Sequence, residues 1–405
     1  MMLHFRMRWI AGGVTAAKGF RASGVSAGIK RSRKPDLALV VSEASATAAG
    51  IFTRNRVQAA PVLISKTRLR SGRARAVFIN SGCANCLTGP AGMQDALALS
   101  GVVARALGLA EREVLVASTG LIGRRLPVPR IQRAVPALVA QLSRAHHEAA
   151  AQAMLTTDLR VKEAAVEGVI GGRAIRLGGM AKGAGMISPS MATMLCVVTT
   201  DAAVAPALLR MLLQEAAERT FNRVSVDGDM STNDTVFGLA SGASGVAIRS
   251  GSRAASLFLA LLEAVMARLA TLIVQDGEGA TKVMDVRVTG ARSERDAMAA
   301  ARQVARSPLV KTMLAGNDPN VGRIAAAVGA SSARFDPERL EISLGRQRMV
   351  ARGTVLAVPA SVTRRLLDRP TVTVRIDLHA GTAQGAMRTC DLTEEYVRIN
   401  AGYAT

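Results

Sequence analysis

Short runs of β-branched and aromatic residues alternate along the chain with longer stretches rich in Ala and Leu. The short runs predict strands at residues 37–41, 50–53, 76–80, 114–117, 271–275, 350–357 and 371–379. Apolar residues at helical spacing predict helices at residues 95–107, 129–147, 206–220, 251–270 and 293–306, the last with Ser293 as its N-cap. This alternation predicts a mixed α/β fold of layered sheets flanked by helices, folded as one unit or as two halves folded together.

A glycine-rich segment, residues 167–185, leads into the sequence SPSMATMLCVV at residues 188–198. Small residues there give way to an apolar run, so we expect a tight, exposed turn that feeds a buried strand beginning at or near Thr193. A hydroxyl at the start of a strand can attack the carbonyl of the preceding residue, here Ala192. The same spacing is also typical of an ordinary strand threonine.

Attack by Thr193 on Ala192 would be an N→O acyl shift, and hydrolysis of the resulting ester would leave Thr193 as a new N-terminus. A free N-terminal amine can act as the base for its own hydroxyl, so no separate histidine is needed. An α-amino group ordinarily has a pKa of about 7.7–8.0, which suits a base working at neutral pH. This chemistry would make Thr193 a nucleophile.

The 405 residues carry 52 Lys and Arg against 30 Asp and Glu, a formal net charge of +22, and 49% of them are hydrophobic. This composition is typical of a globular protein and argues against wholesale disorder. The sequence lacks zinc-finger spacing, RNA-binding aromatic motifs and basic-zipper heptads, and it contains one Trp, two Tyr and eight Phe. Lys supplies only 8 of the 52 basic residues, so a general use of Arg in place of Lys is favoured over specific nucleic-acid binding, and a solvated basic surface can attract anionic small molecules.

Four cysteines in a chain of this length are not typical of a disulfide framework, which favours a reducing compartment. Cys83 and Cys86 form a C-x-x-C pair, the spacing of a redox site or of half a zinc site. A full zinc site needs two further nearby ligands, and His146 and His147 are far off in the sequence. We therefore expect no bound metal.

Two segments of the sequence were compared with the patterns of a signal peptide and of a membrane-spanning helix. Residues 1–10 lack the apolar run of a signal peptide. The most apolar later stretch, residues 254–274, is interrupted by charged side chains and has the spacing of an amphipathic helix. The sequence therefore predicts a cytoplasmic protein with no membrane span.

The segment 182–195 (KGAGMISPSMATML) is similar to the self-cleavage signature of the ornithine acetyltransferase / glutamate N-acetyltransferase family of arginine biosynthesis. Further stretches agree in order along nearly the whole chain: residues 15–28, 50–61 (GIFTRNRVQAAP), 80–89, 118–123 (STGLIG), 156–158 (TTD), 226–235 (VDGDMSTNDT), 276–282 (DGEGATK), 316–324 and 396–405. On these motifs the chain is identified as a member of that family.

The resemblance implies a self-cleaved N-terminal-nucleophile acyltransferase fold of the ornithine acetyltransferase type. Cleavage between Ala192 and Thr193 would give an α chain of residues 1–192, which contains the oxyanion segment, and a β chain of residues 193–405, the two folded together. Thr193 would then take acetyl from N-acetyl-ornithine and pass it to glutamate, a ping-pong transfer. An oxyanion develops in each half of that reaction, and by resemblance the Thr119 hydroxyl and the Gly120 N–H would stabilise it.

A zwitterionic amino acid needs a cation or N–H groups for its carboxylate and acceptors for its amine. By resemblance the substrate-binding residues are Thr156, Lys182, Thr193, Glu278, Asn400 and the terminal Thr405. The family implies no bound cofactor, although acetyl-CoA is a possible co-substrate that would make the enzyme bifunctional. It also implies an assembly of two α and two β chains.

The segment 226–235 is dense in acids and amides, but its spacing is not that of an EF-hand loop. Given the resemblance, we interpret it as a turn near the new N-terminus. Departures from the family pattern at Val321, at the two cysteines of the C-x-x-C pair and at Cys196 concern packing and pocket shape more than the chemical groups.

Two other functions stay open at this point. A related self-cleaving aminopeptidase or amidase would share the nucleophile, but water would resolve its acyl-enzyme. A non-catalytic anion- or nucleic-acid-binding protein would use the excess positive charge, and its affinity would fall steeply with salt.

Overall fold

The computed structural model describes residues 7–188 and 194–402, and residues 1–6, 189–193 and 403–405 lie outside this description. The described residues divide into two compact units. Unit 1 contains those of Met1–Met186, Ser190–Asn222 and Asp229–Ile273, and unit 2 contains those of Ile187–Pro189, Arg223–Gly228 and Val274–Thr405. Each unit combines a sheet with helices, so the predicted mixed α/β class is confirmed.

Unit 1 holds the elements of the first two thirds of the chain. Its strands are β1 (Met7–Trp9), β2 (Phe20–Val25), β3 (Leu37–Phe52), β4 (Arg73–Cys83), β5 (Val114–Leu121), β6 (Lys162–Ile170), β7 (Arg173–Lys182), β8 (Leu195–Thr200), β9 (Ala203–Val204), β10 (Thr235–Ala240) and β11 (Ala247–Ile248). Its helices are α1 (Ala60–Arg68), α2 (Gly89–Leu107), α3 (Val128–Ala140), α4 (His147–Met154), α5 (Pro206–Arg219) and α6 (Arg253–Gln275, of which the last two residues belong to unit 2).

The main sheet of unit 1 has nine strands in the order β1-β6-β7-β8-β10-β3-β4-β5, with β2 paired to β3. The β8–β10 and β4–β5 pairs are parallel and the other pairs are antiparallel. The two-residue strands β9 and β11 form a separate parallel pair. The segment after residue 193 therefore enters the middle of the sheet as β8.

Both faces of the sheet around β3, β4 and β5 are buried. Leu37 and Leu39 pack in one core with helices α2 and α3, whereas Ala38 and Val40 pack in a second core that includes α4. The same alternation holds along β4 and β5. A strand buried on both faces is apolar at successive positions, which explains the continuous hydrophobic runs from which these strands are predicted.

Helix α6 is, within the described part of the chain, long and apolar enough by length and composition to cross a membrane. Half of its most apolar window is buried in the protein, and Leu261 and Leu269 are fully buried. A Cβ atom at Gly168 of β6 would lie 2.7 Å from the Leu261 Cδ1 atom, so the helix packs closely on the sheet there. These contacts are typical of a core helix.

Unit 2 is a six-stranded sheet with helices. Its strands are β12 (Val283–Ala291), β13 (Glu341–Leu344), β14 (Gln347–Ala351), β15 (Thr354–Val355), β16 (Thr371–Asp377) and β17 (Ala383–Cys390), in the order β15-β14-β13-β16-β12-β17. Its helices are α7 (Glu294–Arg306), α8 (Pro308–Ala315), α9 (Val321–Gly329), α10 (Ala360–Leu367) and α11 (Glu394–Gly402). Val286 and Val288 of β12 lie in the core with residues of α7, α8 and α9, while Arg287 between them is exposed.

Several predicted elements are confirmed within a few residues. The helix predicted at 206–220 is α5, and the one at 293–306 is α7, where the Ser293 hydroxyl accepts a hydrogen bond from the Asp296 N–H as its N-cap. The strand predicted at 371–379 is β16. Each of these segments has a regular apolar period and a clear boundary residue.

Three predicted elements are wrong. Residues 271–275 are not a strand but the end of α6, because Ile273 and Val274 continue its buried stripe. The helix predicted at 129–147 stops at Ala140, because the Ser143 backbone instead pairs with β2 through Ala22. Residues 350–357 form parts of two strands, β14 and β15, joined by a turn with positive φ at Arg352 and Gly353, as in a tight hairpin.

Candidate active site

The end of strand β5 carries the two residues of the predicted oxyanion segment, Thr119 and Gly120. Gly120 is paired with Gly82 on β4, and its φ of 127° lies in the region that favours glycine. A Cβ atom at Gly120 would lie 2.6 Å from the Cys83 backbone nitrogen and closer still to the Gly82 carbonyl carbon. The two strands therefore approach at a distance that excludes any side chain at position 120.

A single buried amide holds this segment in place. The Asn233 Nδ2 group donates to the carbonyl oxygens of Ser118 at 2.8 Å and of Ala84 at 2.7 Å. Asn233 is 5% exposed, and its Oδ1 atom accepts from the Thr232 hydroxyl. It therefore ties the residue before Thr119 to the chain that follows β4.

Sequence reasoning missed this role of Asn233. The available signal was the concentration of acids and amides in the segment 226–235, which indicated a turn without assigning its side chains. The structure places its amide between two other parts of unit 1.

A second set of hydrogen bonds stiffens the same strand ends. The Ser118 hydroxyl donates to Asn80 Oδ1 at 2.6 Å, and the Asn80 amide donates to the Cys83 carbonyl oxygen at 2.8 Å. Burial is the main cause that raises the pKa of the Cys83 thiol, and the thiol donates to the Arg124 carbonyl oxygen at 3.1 Å. Cys83 is therefore a neutral packing residue at neutral pH.

All four cysteines are free and buried. Across residues 7–188 and 194–402, no group of three or more His, Cys, Asp or Glu side chains could hold a metal ion.

The predicted substrate-binding residues Thr156 and Lys182 are in direct contact. Lys182, at the end of β7, donates from Nζ to the Thr156 hydroxyl at 2.7 Å. Asp158 lies beside both: its Oδ2 atom accepts from the Thr156 N–H at 3.0 Å and lies 3.6 Å from Lys182 Nζ. Its Oδ1 atom accepts from Lys162 Nζ at 2.7 Å and from the Gly183 N–H at 2.6 Å.

Within the described residues, this cluster places two lysines beside one carboxylate. Burial alone would raise the pKa of Asp158, but the charges of Lys182 and Lys162 and the hydrogen bonds hold it well below its usual range. Asp158 is therefore ionised at neutral pH. Among the described side chains of the cluster, two lysines lie beside one carboxylate, and such an arrangement favours a further anion such as a substrate carboxylate.

Lys30 is a further cation of this part of unit 1. Its Nζ atom donates to the Pro35 carbonyl oxygen at 2.6 Å. Burial is the main cause that lowers the pKa of Lys30 to about 8; the Lys182 charge adds to this effect, and the carboxylates of Asp36 and Asp158 oppose it. Lys30 thus changes charge in the mildly alkaline range.

Asp234 lies next to the start of β8. It is fully buried, and its Oδ1 atom accepts from the Met194 N–H at 3.1 Å. Burial raises the pKa of Asp234 well above its ordinary value, since the opposing effects of the Met194 N–H, the Lys182 charge and the nearby Ser231 hydroxyl are smaller. A carboxyl that can carry a proton therefore contacts the residue directly after Thr193 in the chain.

In unit 2, the predicted residues Glu278 and Asn400 form a pair. The Asn400 amide donates to Glu278 Oε2 at 2.7 Å and to the Tyr396 carbonyl oxygen, one turn earlier in helix α11, at 3.0 Å. The Tyr396 hydroxyl donates to Asp227 Oδ2 at 3.2 Å. Helix α11 is thereby attached to the rest of unit 2 through the Asn400–Glu278 pair, which the resemblance assigns to substrate binding, and through the Tyr396–Asp227 hydrogen bond.

The structure brings together several of the predicted site residues within each unit. Thr119 adjoins Gly120, and Thr156 contacts Lys182, all in unit 1. In unit 2, Glu278 contacts Asn400, as described above. The predicted cleavage-site residues Ala192 and Thr193 and the terminal Thr405 lie outside the described residues.

Known proteins match this chain over nearly its full length. A sequence profile of the ArgJ family matches residues 21–405. The arginine biosynthesis bifunctional protein ArgJ of Thermosynechococcus vestitus is 47% identical, over 98% of this chain and 99% of that protein. The protein of the same name from Nitratidesulfovibrio vulgaris is 50% identical, over 95% of this chain and 98% of that protein.

A solved structure is similar to part of the chain. It is ornithine acetyltransferase from Mycobacterium tuberculosis in complex with ornithine, 44% identical, with a TM-score of 0.43. The match covers 46% of this chain and 99% of that one.

Proposed function

This chain belongs to the ArgJ family of arginine biosynthesis enzymes, and from that premise we propose that it moves acetyl from N-acetyl-ornithine to glutamate. The transfer uses an acetyl-Thr193 intermediate, and Thr193 becomes the N-terminal nucleophile after self-cleavage next to Ala192. The observation that carries the proposal is the cluster of Lys182, Lys162 and Asp158 beside Thr156, in which two nearly buried lysines and one carboxylate suit a substrate carboxylate.

The acetyl group moves in two half-reactions. The Thr193 oxygen attacks the acetyl carbonyl of N-acetyl-ornithine, its proton passes to the α-amine of the same residue, and the carbon–nitrogen bond breaks as ornithine takes up a proton. The amine of glutamate then attacks the acetyl ester, which gives N-acetylglutamate and regenerates the Thr193 hydroxyl. Both halves form a tetrahedral oxyanion.

The oxyanion needs donors that are fixed before the reaction begins. We assign this role to the Thr119 hydroxyl and the Gly120 N–H. The geometry that supports the assignment is the close approach of Gly120 to β4 and the two hydrogen bonds from Asn233, which leave the strand end little freedom. A preorganised donor of this kind contributes about 2.7–4 kcal/mol to catalysis in other enzymes.

Both amino-acid substrates present a carboxylate and an amine, so the same kinds of binding group can serve both half-reactions. We assign the carboxylate to Lys182 and Thr156, and we assign the remaining contacts to Glu278, Asn400 and Thr405. Glu278 is 8% exposed, and its carboxylate accepts a hydrogen bond from Asn400, so it is suited to hold an ammonium group.

The word bifunctional in the names of the relatives supports a second activity. We propose that acetyl-CoA also acetylates Thr193, as a co-substrate and not as a bound cofactor, so that glutamate is acetylated without N-acetyl-ornithine. An assembly of two α and two β chains and a cytoplasmic location complete the proposal.

Acetyl transfer is tested by mixing the purified protein with N-acetyl-ornithine, with and without glutamate, and measuring ornithine, N-acetylglutamate and acetate. The proposal expects ornithine and N-acetylglutamate in equal amounts, and parallel double-reciprocal plots. Release of ornithine and acetate at the same rate without glutamate would instead indicate the aminopeptidase or amidase alternative. If neither ornithine nor acetate is released, the result would instead favour a non-catalytic binding protein.

A further inference from the structure

Three charged side chains of the substrate-carboxylate cluster are almost completely buried. The side chains of Asp158, Lys162 and Lys182 are 0%, 1% and 4% exposed. Lys182 and Thr156 are proposed substrate contacts, whereas Asp158 and Lys162 are not part of the proposed substrate-binding or catalytic groups. Burying two such charges without a function is costly, so their arrangement calls for a physical reason.

The carboxylate is shared unequally between the two lysines. Lys162 Nζ donates to Asp158 Oδ1 at 2.7 Å, a direct charge-assisted hydrogen bond. Lys182 Nζ is 3.6 Å from Oδ2, beyond hydrogen-bond distance, and it donates to the Thr156 hydroxyl instead. Both lysine charges therefore stabilise the Asp158 carboxylate, but only Lys162 donates a hydrogen bond to it, and the Lys182 ammonium is left directed at Thr156.

Asp158 also fixes the backbone on both sides of the proposed carboxylate site. One oxygen accepts from the N–H of Thr156, and the other accepts from the N–H of Gly183, the residue after Lys182. A single carboxylate thus links the two chain segments that present the substrate-binding hydroxyl of Thr156 and ammonium of Lys182, residues that are 26 positions apart.

We propose that Asp158 is the positioning residue of the carboxylate-binding site and that Lys162, by taking the direct hydrogen bond to Asp158, keeps the Lys182 ammonium directed at Thr156 and the substrate. This inference rests on the proposed function, because it takes Lys182 and Thr156 as the substrate contacts. Lys162 acts through Asp158 and does not touch the substrate.

The roles predict a particular pattern in a double-mutant cycle. In Lys162→Met, Asp158 pairs with Lys182 and competes with the substrate, so KM rises. In Asp158→Asn, Lys182 and Thr156 lose their common anchor, so KM rises as well. In the double variant the neutral amide no longer competes for Lys182, so adding Lys162→Met to Asp158→Asn changes KM little further.

The experiment measures KM and kcat of the cleaved enzyme for N-acetyl-ornithine and for glutamate. A charge-assisted hydrogen bond is the interaction at stake, so we expect KM to rise about tenfold to a hundredfold in either single variant. Because both substrates use the same site, their KM values rise together, while kcat changes less than about threefold. Asp158→Glu keeps the charge and restores part of the loss.

Asp285→Asn is the matched control. Asp285 pairs with Arg388 in unit 2 at 2.6 Å, so the variant also removes a carboxylate from an ion pair, and its KM values are expected to stay at the wild-type level. Intact mass and thermal unfolding establish that each variant is cleaved and folded.

If folded Asp158→Asn and Lys162→Met have wild-type KM values, the inference is overturned, and Asp158 and Lys162 have a structural role only. If the single variants do not fold, the double variant decides: a raised KM supports the inference, and a wild-type KM overturns it. If Lys162→Met raises KM by the same factor in the wild type and in Asp158→Asn, Lys162 does not act through Asp158, and that part of the inference is wrong. Failure of the proposed function is recognised separately, because the wild-type enzyme would then release no ornithine, or would release ornithine and acetate at the same rate without glutamate.

Discussion

Replacing Gly120 by alanine adds one methyl group where strands β4 and β5 meet. That methyl would lie 2.6 Å from the Cys83 nitrogen and closer still to the Gly82 carbonyl carbon, whereas carbon atoms in contact are about 3.5–4.0 Å apart. The neighbours are backbone atoms of a paired strand and cannot rotate away. The strand end must therefore shift outward by roughly 1 Å to accommodate the methyl group.

Two energies follow from this geometry. The φ of 127° is strained for alanine and costs about 1–3 kcal/mol, and the overlap adds about 1–3 kcal/mol more. The shift also moves the proposed N–H donor away from the oxyanion. Loss of one such donor lowers kcat by roughly 10²–10³ in other enzymes. We expect a reduction of that size for Gly120→Ala.

Gly123→Ala is the matched control. Gly123 follows three residues later, also has a positive φ, of 82°, and a methyl group there would meet nothing within 4 Å. It therefore carries the conformational strain without the overlap, at about 1–2 kcal/mol of stability. Its kcat should stay close to the wild-type value.

The assay is ornithine release from N-acetyl-ornithine at saturating glutamate, normalised to the amount of cleaved enzyme. The reasoning is refuted if Gly120→Ala retains wild-type kcat, or if both alanine variants lose activity equally. In the second case strain at the strand end, and not displacement of a donor, would account for the loss.

Three further results are expected. Asn233→Asp keeps the shape of the side chain but removes both donated hydrogen bonds, so urea unfolding should show a loss of about 2–4 kcal/mol, together with lower kcat; unchanged stability would contradict the assigned contacts. Asn400→Ala leaves Glu278 without its 2.7 Å hydrogen-bond donor, so steady-state kinetics should show a KM for N-acetyl-ornithine raised by about tenfold. An unchanged KM would contradict the proposed role of Asn400 and Glu278 in substrate binding. The pKa of Asp158 is lower in the folded protein than its ordinary 3.8, so the ionised carboxylate stabilises the fold fully above about pH 5, and this stabilisation is lost as the pH falls further. The difference in unfolding free energy between wild type and Asp158→Asn should therefore narrow below about pH 4. A difference that stays constant with pH would contradict the ion pairs of Asp158.

The fold was most predictable where local pattern and tertiary burial agree. The runs 37–41, 76–80 and 114–117 are strands because successive residues are buried on opposite faces of the sheet. The run 271–275 is also apolar and contains β-branched residues, yet it belongs to a helix that begins at Arg253. β-Branched residues at the end of a long buried helix resemble a strand when only five positions are considered.

The candidate site was predictable in its residue types but not in its contacts. Lys182 and Thr156 were assigned by resemblance, and nothing in their 26-residue separation indicates that the ammonium contacts the hydroxyl. The amide of Asn233 bonds carbonyls that are 149 and 115 residues away in the chain. Such contacts depend on the assembled sheet, so only the structure can assign the supporting roles of Asn233, Asp158 and Lys162.

The central claim is that Thr193 becomes an N-terminal nucleophile, and intact mass spectrometry of the purified protein beside Thr193→Ala tests it most directly. The account predicts two fragments for the wild type, divided between Ala192 and Thr193, and one uncut chain of 42.2 kDa for the variant. A wild-type protein that remains uncut has no free amine at Thr193 to act as base, and that result would contradict the mechanism proposed for this enzyme.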